Sequence, residues 1–225
     1  MKDENFLEAI KILNKKKIDY WVCHGTLLGL IRDKKLIEWD NDIDIGVLKK
    51  RKNIKLINQI FKSVGFKKKK KFFSDDGLLT FTKKGGREVD INFYELFFNK
   101  KARKKFVICQ WYVPKNIMCK IVDAISKASI YKGKFKFIVK NMIVLEKIFH
   151  KIKNYLVKKN FFYLKIGYSH PIDLISKKKK IKFDKVKVSI PKNSNIYLKY
   201  IYGKDWKVPK KNYVWHKDSP SLSSR

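Results

Sequence analysis

The segment DNDIDIGV, residues 40–47, constrains the fold of this chain most, because charged and apolar side chains alternate along it. A period of two is that of a β-strand, so one face carries carboxylates and the other carries apolar groups. The acidic face consists of Asp40, Asp42 and Asp44. Carboxylates this close repel one another, and burial raises their pKa. The row therefore indicates a site for a hard divalent cation, Mg²⁺ or Mn²⁺, which prefers oxygen ligands and usually brings substrate phosphates with it.

A glycine–hydroxyl pair, Gly25 and Thr26, lies upstream of this strand and follows the apolar run at residues 18–23 after His24. Gly25 would let the backbone approach a ligand closely, and Thr26 is predicted to cap a short helix over residues 27–33. Helix N-termini attract phosphate through their free N–H groups, so we expect a phosphate site here. His24 could donate to that phosphate, but a single histidine before a glycine turn is more often a structural hydrogen-bonding group.

A second alternating segment, EVDINF at residues 88–93, places Asp90 opposite in sense to Val89 and Ile91. Asp90 could join the aspartate row from a neighbouring strand. On this local pattern alone, a surface aspartate on an edge strand is an equally good interpretation.

The charge of the chain, +35 over 225 residues, is compatible with binding to nucleic acid, anionic lipid or an anionic glycan. Only five arginines stand against fifty lysines, whereas surfaces that read nucleic acid favour arginine more strongly. We therefore attribute the lysine content first to codon usage in an AT-rich genome and expect no nucleic-acid partner. Peripheral attraction to anionic membranes would be a by-product.

The cysteines, the apolar runs and the N-terminal segment together predict the cellular location. The three cysteines are odd in number and far apart, which is typical of a reducing compartment and argues against a zinc cluster. No run of roughly 18 apolar residues suggests a membrane span, and the N-terminal segment does not resemble a secretory signal. We expect a cytoplasmic protein, with the inner face of the membrane as the alternative.

Periodicity and turn signals predict the remaining elements. Helices are predicted over residues 5–16, 53–64, 115–130, 137–156 and 196–202. Asn53 is the predicted N-cap of the second, Gly65 is predicted just after its end, and Gly203 is predicted to close the last. In the helix at 137–156 the inward-facing side chains would be Ile138, Met142, Leu145, Ile148 and Phe149. Strands are predicted over residues 18–23, 40–47, 78–83, 88–93 and 186–190, with a hairpin turn at Ser74–Gly77. The lysine runs 67–71 and 177–180 are interpreted as solvated stretches.

Two blocks of the sequence resemble the signature of the LicD/fukutin-related family, within the nucleotidyltransferase superfamily. The first is HGTLLGLIRDKKLIEWDNDIDIGV, and the second contains Tyr202-Gly203, Trp206 and Pro209 as YG-x-x-W-x-x-P. The resemblance implies an α+β fold: a nucleotidyltransferase-like mixed β-sheet flanked by helices, with a helical insertion and a C-terminal strand–helix element. Residues 1–99 would form the catalytic core, with residues 100–225 packed on it in one continuous domain.

The same resemblance implies a function and a set of site residues. Members of this family move phosphocholine or ribitol phosphate from a CDP-linked donor to a sugar hydroxyl of a glycan or glycolipid. Carried over, Asp42, Asp44 and Asp90 would bind Mg²⁺ or Mn²⁺ and act in catalysis. The substrate-binding residues would be Gly25, Thr26, Arg32 and Asp40. Asn41 stands where the family often has aspartate, and the cysteine set of zinc-containing animal relatives is missing.

Several roles stay open at this stage. Arg32 could clamp an anionic oxygen or pair with Asp33 or Asp40. Tyr202 and Trp206 could stack on a base or sugar, although aromatic residues at this spacing are more often core. Two other functions are also compatible with the sequence: a nucleotidyltransferase that uses a nucleoside triphosphate on a small molecule, protein or RNA, and a basic nucleic-acid-binding protein with a degenerate site.

Overall fold

The computed structural model describes residues 3–70, 77–159 and 162–224 as an α+β protein. A mixed eight-stranded sheet forms its centre, helices flank the sheet, and a separate two-stranded sheet lies near its first edge. The predicted fold class is therefore confirmed. The sheet contains strands from both sides of residue 99, so its hydrogen bonding continues from the predicted core into the rest of the chain.

The helices, in chain order, are α1 (Glu4–Lys15), α2 (His24–Leu28), α3 (Arg51–Ser63), α4 (Ile117–Ile125), α5 (Lys136–Asn141), α6 (Glu146–Lys158), α7 (Asp173–Ser176), α8 (Ser194–Tyr202) and α9 (Trp215–Asp218). A π-helical turn, Gly29–Asp33, continues α2, and 3₁₀ turns occur at Ala128–Ile130 and Ile143–Leu145.

The strands are β1 (Tyr20–Val22), β2 (Asp42–Leu48), β3 (Lys67–Lys69), β4 (Leu78–Thr82), β5 (Glu88–Asn99), β6 (Lys104–Pro114), β7 (Tyr163–Pro171), β8 (Lys178–Phe183), β9 (Val186–Pro191) and β10 (Leu222–Ser224). The main sheet runs in the order β1-β2-β5-β6-β7-β10, with β4 also paired to β5 and β3 paired to β4. β2 and β5 are parallel, and the other pairs are antiparallel.

The core lies against the apolar face of β2 and β5. Ile43, Ile45, Val89 and Ile91 are all completely buried, as the period-two pattern predicts. Helix α1 adds a stripe at helical spacing, Phe6, Ala9, Ile10 and Leu13, and Asp3 caps its first turn by accepting from the Phe6 backbone N–H. Burial of these side chains supplies the main stabilisation of the sheet.

Glycines follow the C-terminal ends of two helices, as predicted, whereas one predicted N-cap is wrong. Helix α8 ends at Tyr202, and Gly203 follows with a φ of 91°, as predicted for a helix closed by glycine. Gly65, with a φ of 89°, lies just beyond Val64, the C-cap of α3, as predicted. The predicted N-cap of α3, Asn53, is wrong: the helix begins at Arg51, and Asn53 instead donates to the Leu48 carbonyl.

The segment between β6 and β7 differs most from prediction. The single helix predicted over residues 137–156 is broken into α5, a 3₁₀ turn and α6. Ile138 and Ile148, predicted to face inward, are 62% and 56% exposed. The strands on either side, β6 and β7, were not predicted as strands.

The lysine runs are partly strand. Lys67–Lys69 form β3, and Lys178–Lys180 begin β8, with most of these side chains exposed. The hairpin pairing of β3 with β4 is present, whereas residues 74–76 of the predicted turn lie outside the described residues. Over the part of the chain that the structure describes, no helix is long and apolar enough to cross a membrane.

Candidate active site

The acidic faces of β2 and β5 lie side by side. The two strands are parallel with Asp44 directly opposite Asp90 and Asp42 opposite Glu88. In-register residues on neighbouring strands point to the same face of a sheet. Asp42, Asp44 and Asp90 all line one cavity of about 540 Å³. The structure therefore brings together three aspartates that lie in two separate segments of the sequence.

The Asp44 carboxyl is held by a specific hydrogen bond and lies in a strongly negative environment. Asn92 Nδ2 donates to Asp44 Oδ1 at 3.1 Å. Burial raises the pKa of Asp44 well above its ordinary value, and the charges of Asp42 and Asp90 add to the increase. A cation in the cavity would offset the repulsion between these carboxylates and favour the charged form of Asp44. Asn92 also lines the cavity and was not predicted as a site residue, although it continues the alternation of Asp90.

Thr26 lies close to the site but outside the cavity. Its hydroxyl accepts from the Asp44 backbone N–H at 2.8 Å, and the residue is 2% exposed. The predicted N-cap role is wrong, because α2 begins at His24 and Cys23 is its N-cap. The hydroxyl of Thr26 thus fixes the strand that carries Asp44. Direct phosphate binding by Thr26 stays a prediction, and the burial of this residue does not support it.

Gly25 provides the close approach expected of it, but the approaching group is Asp40. A Cβ atom at Gly25 would lie 2.1 Å from Asp40 Oδ2, so any other residue would displace that carboxylate. Both residues line the cavity. Burial raises the pKa of Asp40 to about 7. The charge of Asp42 and its hydrogen bond to Asp40 add to this increase, whereas the charge of Arg87 opposes it. The start of α2 therefore already faces a carboxylate of the protein.

Arg32 lines the cavity from the π-helical turn, with its guanidinium held by its neighbour. Its Nε and Nη2 donate to the two carboxylate oxygens of Asp33 at 2.7 and 2.8 Å. This bidentate pair raises the pKa of Arg32 and lowers that of Asp33. The structure thus shows the ion-pair alternative for Arg32, with Asp33 rather than Asp40 as its partner.

His24 is both a structural group and part of the cavity wall. Its Nε2 lies 2.9 Å from the Tyr94 hydroxyl, and its ring packs on Tyr168 with centroids 4.5 Å apart. Burial lowers the pKa of His24 to about 4, although the Asp42 charge opposes the decrease. Its φ of 48° is uncommon for a residue with a side chain, and such conformations concentrate at functional sites.

The wall around the carboxylates comes from distant parts of the chain and is rich in aromatic and basic side chains. Strands β6 and β7 contribute one group: Cys109, Gln110, Trp111 and Tyr168. Residues 202–213 contribute another: Tyr202, Asp205, Trp206, Val208, Lys210, Lys211 and Tyr213. Tyr202 and Trp206, for which core packing was favoured, line the cavity although Trp206 is only 8% exposed. The two sequence blocks that carry the resemblance thus meet at one cavity.

The donor set suits a magnesium-type cation held by few protein ligands. Among residues 3–70, 77–159 and 162–224, no three His, Cys, Asp or Glu side chains are already placed to hold a metal ion together. Mg²⁺ usually binds through one or two carboxylates and completes its shell with waters and substrate phosphates. Asp42 and Asp44, two residues apart on one strand face, are suited to be such a pair, and metal binding by Asp42, Asp44 and Asp90 stays a prediction.

The mixed sheet and its carboxylate row define a nucleotidyltransferase-like protein. The chain belongs to the LicD/FKTN/FKRP family, because the model of the nucleotidyltransferase domain of that family matches residues 17–148. This match covers β1, α2, β2 and β5, which carry the carboxylates, and ends within α6. The C-terminal wall, residues 202–213, lies beyond it.

Two curated relatives share short stretches with this chain. An uncharacterized protein of Rickettsia typhi is 37% identical over 58 residues, which are 25% of this chain and 19% of the relative. An uncharacterized protein of Rickettsia prowazekii is 45% identical over 38 residues, or 17% of this chain and 14% of the relative. The chain thus matches less than a fifth of the length of each relative.

Proposed function

We propose that this protein is a metal-dependent phosphotransferase that moves a substituted phosphate from a CDP-linked donor to a sugar hydroxyl of a glycan or glycolipid. The transferred group would be phosphocholine-like or alditol-phosphate-like. Family membership supports a transferase of this general kind. The observation that carries the proposal is the carboxylate row, Asp42, Asp44 and Asp90, on one wall of a cavity of about 540 Å³.

Charge explains why a cation belongs in this reaction. A donor diphosphate placed beside three carboxylates would be repelled, although the charge of +35 on the whole chain attracts anions. When bound, Mg²⁺ or Mn²⁺ would supply the positive charge that offsets the charge of the diphosphate and of the leaving CMP. Asp42 and Asp44 would hold the ion, and Asn92 would orient the Asp44 carboxyl.

The remaining cavity residues suit the other parts of such a substrate. Asp90 lies opposite Asp44 and would accept the proton of the acceptor hydroxyl through its carboxylate. Trp39, with Lys211 Nζ 5.6 Å from its ring centroid, forms an exposed aromatic and basic edge for a base or sugar. Asp40, in contact with Gly25, would accept hydrogen bonds from acceptor hydroxyls.

The test is release of CMP from CDP-choline, CDP-ribitol, CDP-glycerol and CDP-ethanolamine, with Mg²⁺ or Mn²⁺ and with acceptor glycans present. We expect release from at least one donor, dependence on the metal, and loss of release in Asp44→Asn. Asp173→Asn on α7, away from the cavity, is the matched control. Absence of release from every donor would overturn the proposal.

Two other outcomes would each indicate a different function. Release of pyrophosphate from a nucleoside triphosphate would indicate a nucleotidyltransferase on the same fold. Salt-sensitive nucleic-acid binding that survives Asp42→Ala with Asp44→Ala, without any transfer activity, would indicate a binding protein with a degenerate site.

A further inference from the structure

The apolar side chains exposed to solvent are concentrated in one segment. Of the eighteen large apolar residues that the structure shows as exposed, eleven lie between residues 117 and 155. This segment, residues 115–159, connects β6 to β7 and contains α4, α5 and α6; we call it the insertion. Val144, Ile117 and Phe137 are 82%, 78% and 76% exposed. Exposed apolar surface of this extent is typical of a contact site for another molecule or a membrane.

The arrangement of these residues is not that of a helix packed on its own core. On α6, Ile148, Ile152 and Tyr155 recur at helical spacing and face solvent, while Lys153 on the same helix is completely buried. Helix α5 has no buried residue. None of the residues that line the active-site cavity lies in the insertion, so the cavity does not account for this surface.

The insertion is also strongly basic. Between residues 115 and 159 the sequence has twelve lysines and only two acidic residues, Asp123 and Glu146. Asp123 pairs with Lys153 at 3.1 Å and with Lys127 at 3.5 Å, and Glu146 pairs with Lys70 from outside the segment at 2.5 Å. The other ten lysines are exposed. The surface therefore combines apolar side chains with positive charge that the two acids of the segment do not neutralise.

We propose that the insertion is an interfacial membrane-docking element, which lays its exposed apolar side chains into an anionic lipid surface and places its lysines at the headgroups. Amphipathic helices with apolar and Lys-rich surfaces bind membranes in this way. Lysine stems span the boundary, with their aliphatic part against lipid and the ammonium group in water.

Other occupants fit less well. A second copy of the same surface would bring two sets of exposed lysines together and repel. Nucleic acid would satisfy the lysines but leave the eleven apolar side chains in water. An anionic bilayer meets both requirements at once. The proposal is independent of the chemistry assigned to the cavity.

The test is flotation of the full chain with vesicles of phosphatidylcholine alone and with vesicles of equal parts phosphatidylcholine and phosphatidylglycerol. We expect binding to the anionic vesicles and little binding to phosphatidylcholine. Phe137→Ser and Val144→Ser, which alter exposed side chains, should each weaken binding to anionic vesicles on the order of tenfold, and more together. Ile196→Ser, which removes an apolar side chain of 57% exposure from α8, should leave it unchanged.

Melting temperatures of all variants verify that each one is folded. Binding that salt abolishes and that the double variant retains would show general attraction of a basic chain and would overturn the proposal. So would absence of binding to anionic vesicles, or self-association in solution that Phe137→Ser with Val144→Ser removes.

Discussion

Asp44 and Asp90 lie directly opposite each other on the parallel strands β2 and β5, although 46 residues separate them in sequence. Both face the same cavity, and the charge of Asp90 adds to the burial that raises the pKa of Asp44. A parallel pair needs a long crossover, which here contains α3, β3 and β4. The fold thus builds the site by strand register rather than by a local loop.

The first prediction concerns the trade-off between stability and function at Asp44. Asp44→Asn should raise the free energy of unfolding of the metal-free protein by about 1 kcal/mol, because it removes a charge that burial and two neighbouring carboxylates disfavour. Transfer activity should be lost in the same variant. Chemical denaturation without metal measures the change in stability.

Asp33→Asn is the matched control, because the surroundings of Asp33 favour the charge on its carboxylate, whereas those of Asp44 disfavour it. The ion pair with Arg32 lowers the pKa of Asp33, so the charge stabilises the fold and its removal should reduce stability. If both substitutions destabilise the metal-free protein equally, the carboxylate row is not electrostatically strained.

The second prediction concerns Asn92, a group that positions Asp44. Asn92→Ala removes the 3.1 Å hydrogen bond to Asp44 Oδ1 and should lower transfer activity by roughly 10- to 100-fold, as loss of a metal-ligand partner does. Part of this loss should be recovered at higher metal concentration. Asn53→Ala, which removes only a bond to the Leu48 carbonyl, should retain activity. Equal activity of the two variants would contradict the role of Asn92.

The third prediction concerns the dependence of stability on pH. His170 is completely buried beside Tyr94 on β5 and Tyr197 on α8, and burial lowers its pKa from 6.5 to about 3, with the nearby His24 adding to the decrease. At a pH between these two pKa values, His170 is therefore protonated in the unfolded chain and neutral in the folded chain. The contribution of His170 is fully present above pH 6.5 and is lost as pH falls through this window.

Its measurement is urea denaturation of His170→Phe and wild type between about pH 7 and pH 5. The variant should lose less stability on acidification, by up to about 1.4 kcal/mol per pH unit for one proton. Parallel pH curves for His170→Phe and wild type would contradict the prediction.

The fourth prediction concerns Trp39 at the edge of the cavity. Trp39 is 44% exposed, so Trp39→Ala should leave the melting temperature nearly unchanged. If its ring stacks on substrate, KM for the CDP donor or for the acceptor should rise roughly tenfold with kcat retained. Tyr200→Ala on α8, at 37% exposure and away from the cavity, is the control. An unchanged KM for both substrates would exclude a stacking role.

Much of the fold near the site could be predicted from sequence because its signals are local. The alternation at residues 40–47 identified β2 and the face of its carboxylates, and glycine at 203 identified the end of α8. The pairing of Asp90 with Asp44 was one of two open interpretations, because register between strands distant in sequence leaves no local pattern.

The missed parts depend on long-range contacts. Strands β6 and β7 extend the sheet beyond β5, and their aromatic residues have no regular alternation that separates them from core or loop. Strand β8 was interpreted as a solvated loop because its lysines dominate the pattern, although its backbone pairs with β9. In the insertion, a helical period predicted Ile148 to be inward, but the period alone does not specify which face meets the core.

The most direct test of the carboxylate site is a measurement of Mn²⁺ binding by electron paramagnetic resonance in the presence of CDP. The wild type should remove the signal of free Mn²⁺, and the double variant Asp42→Asn with Asp44→Asn should leave it in solution at the same protein concentration. Equal uptake of Mn²⁺ by both proteins would show that these aspartates do not hold the cation and would contradict the mechanism.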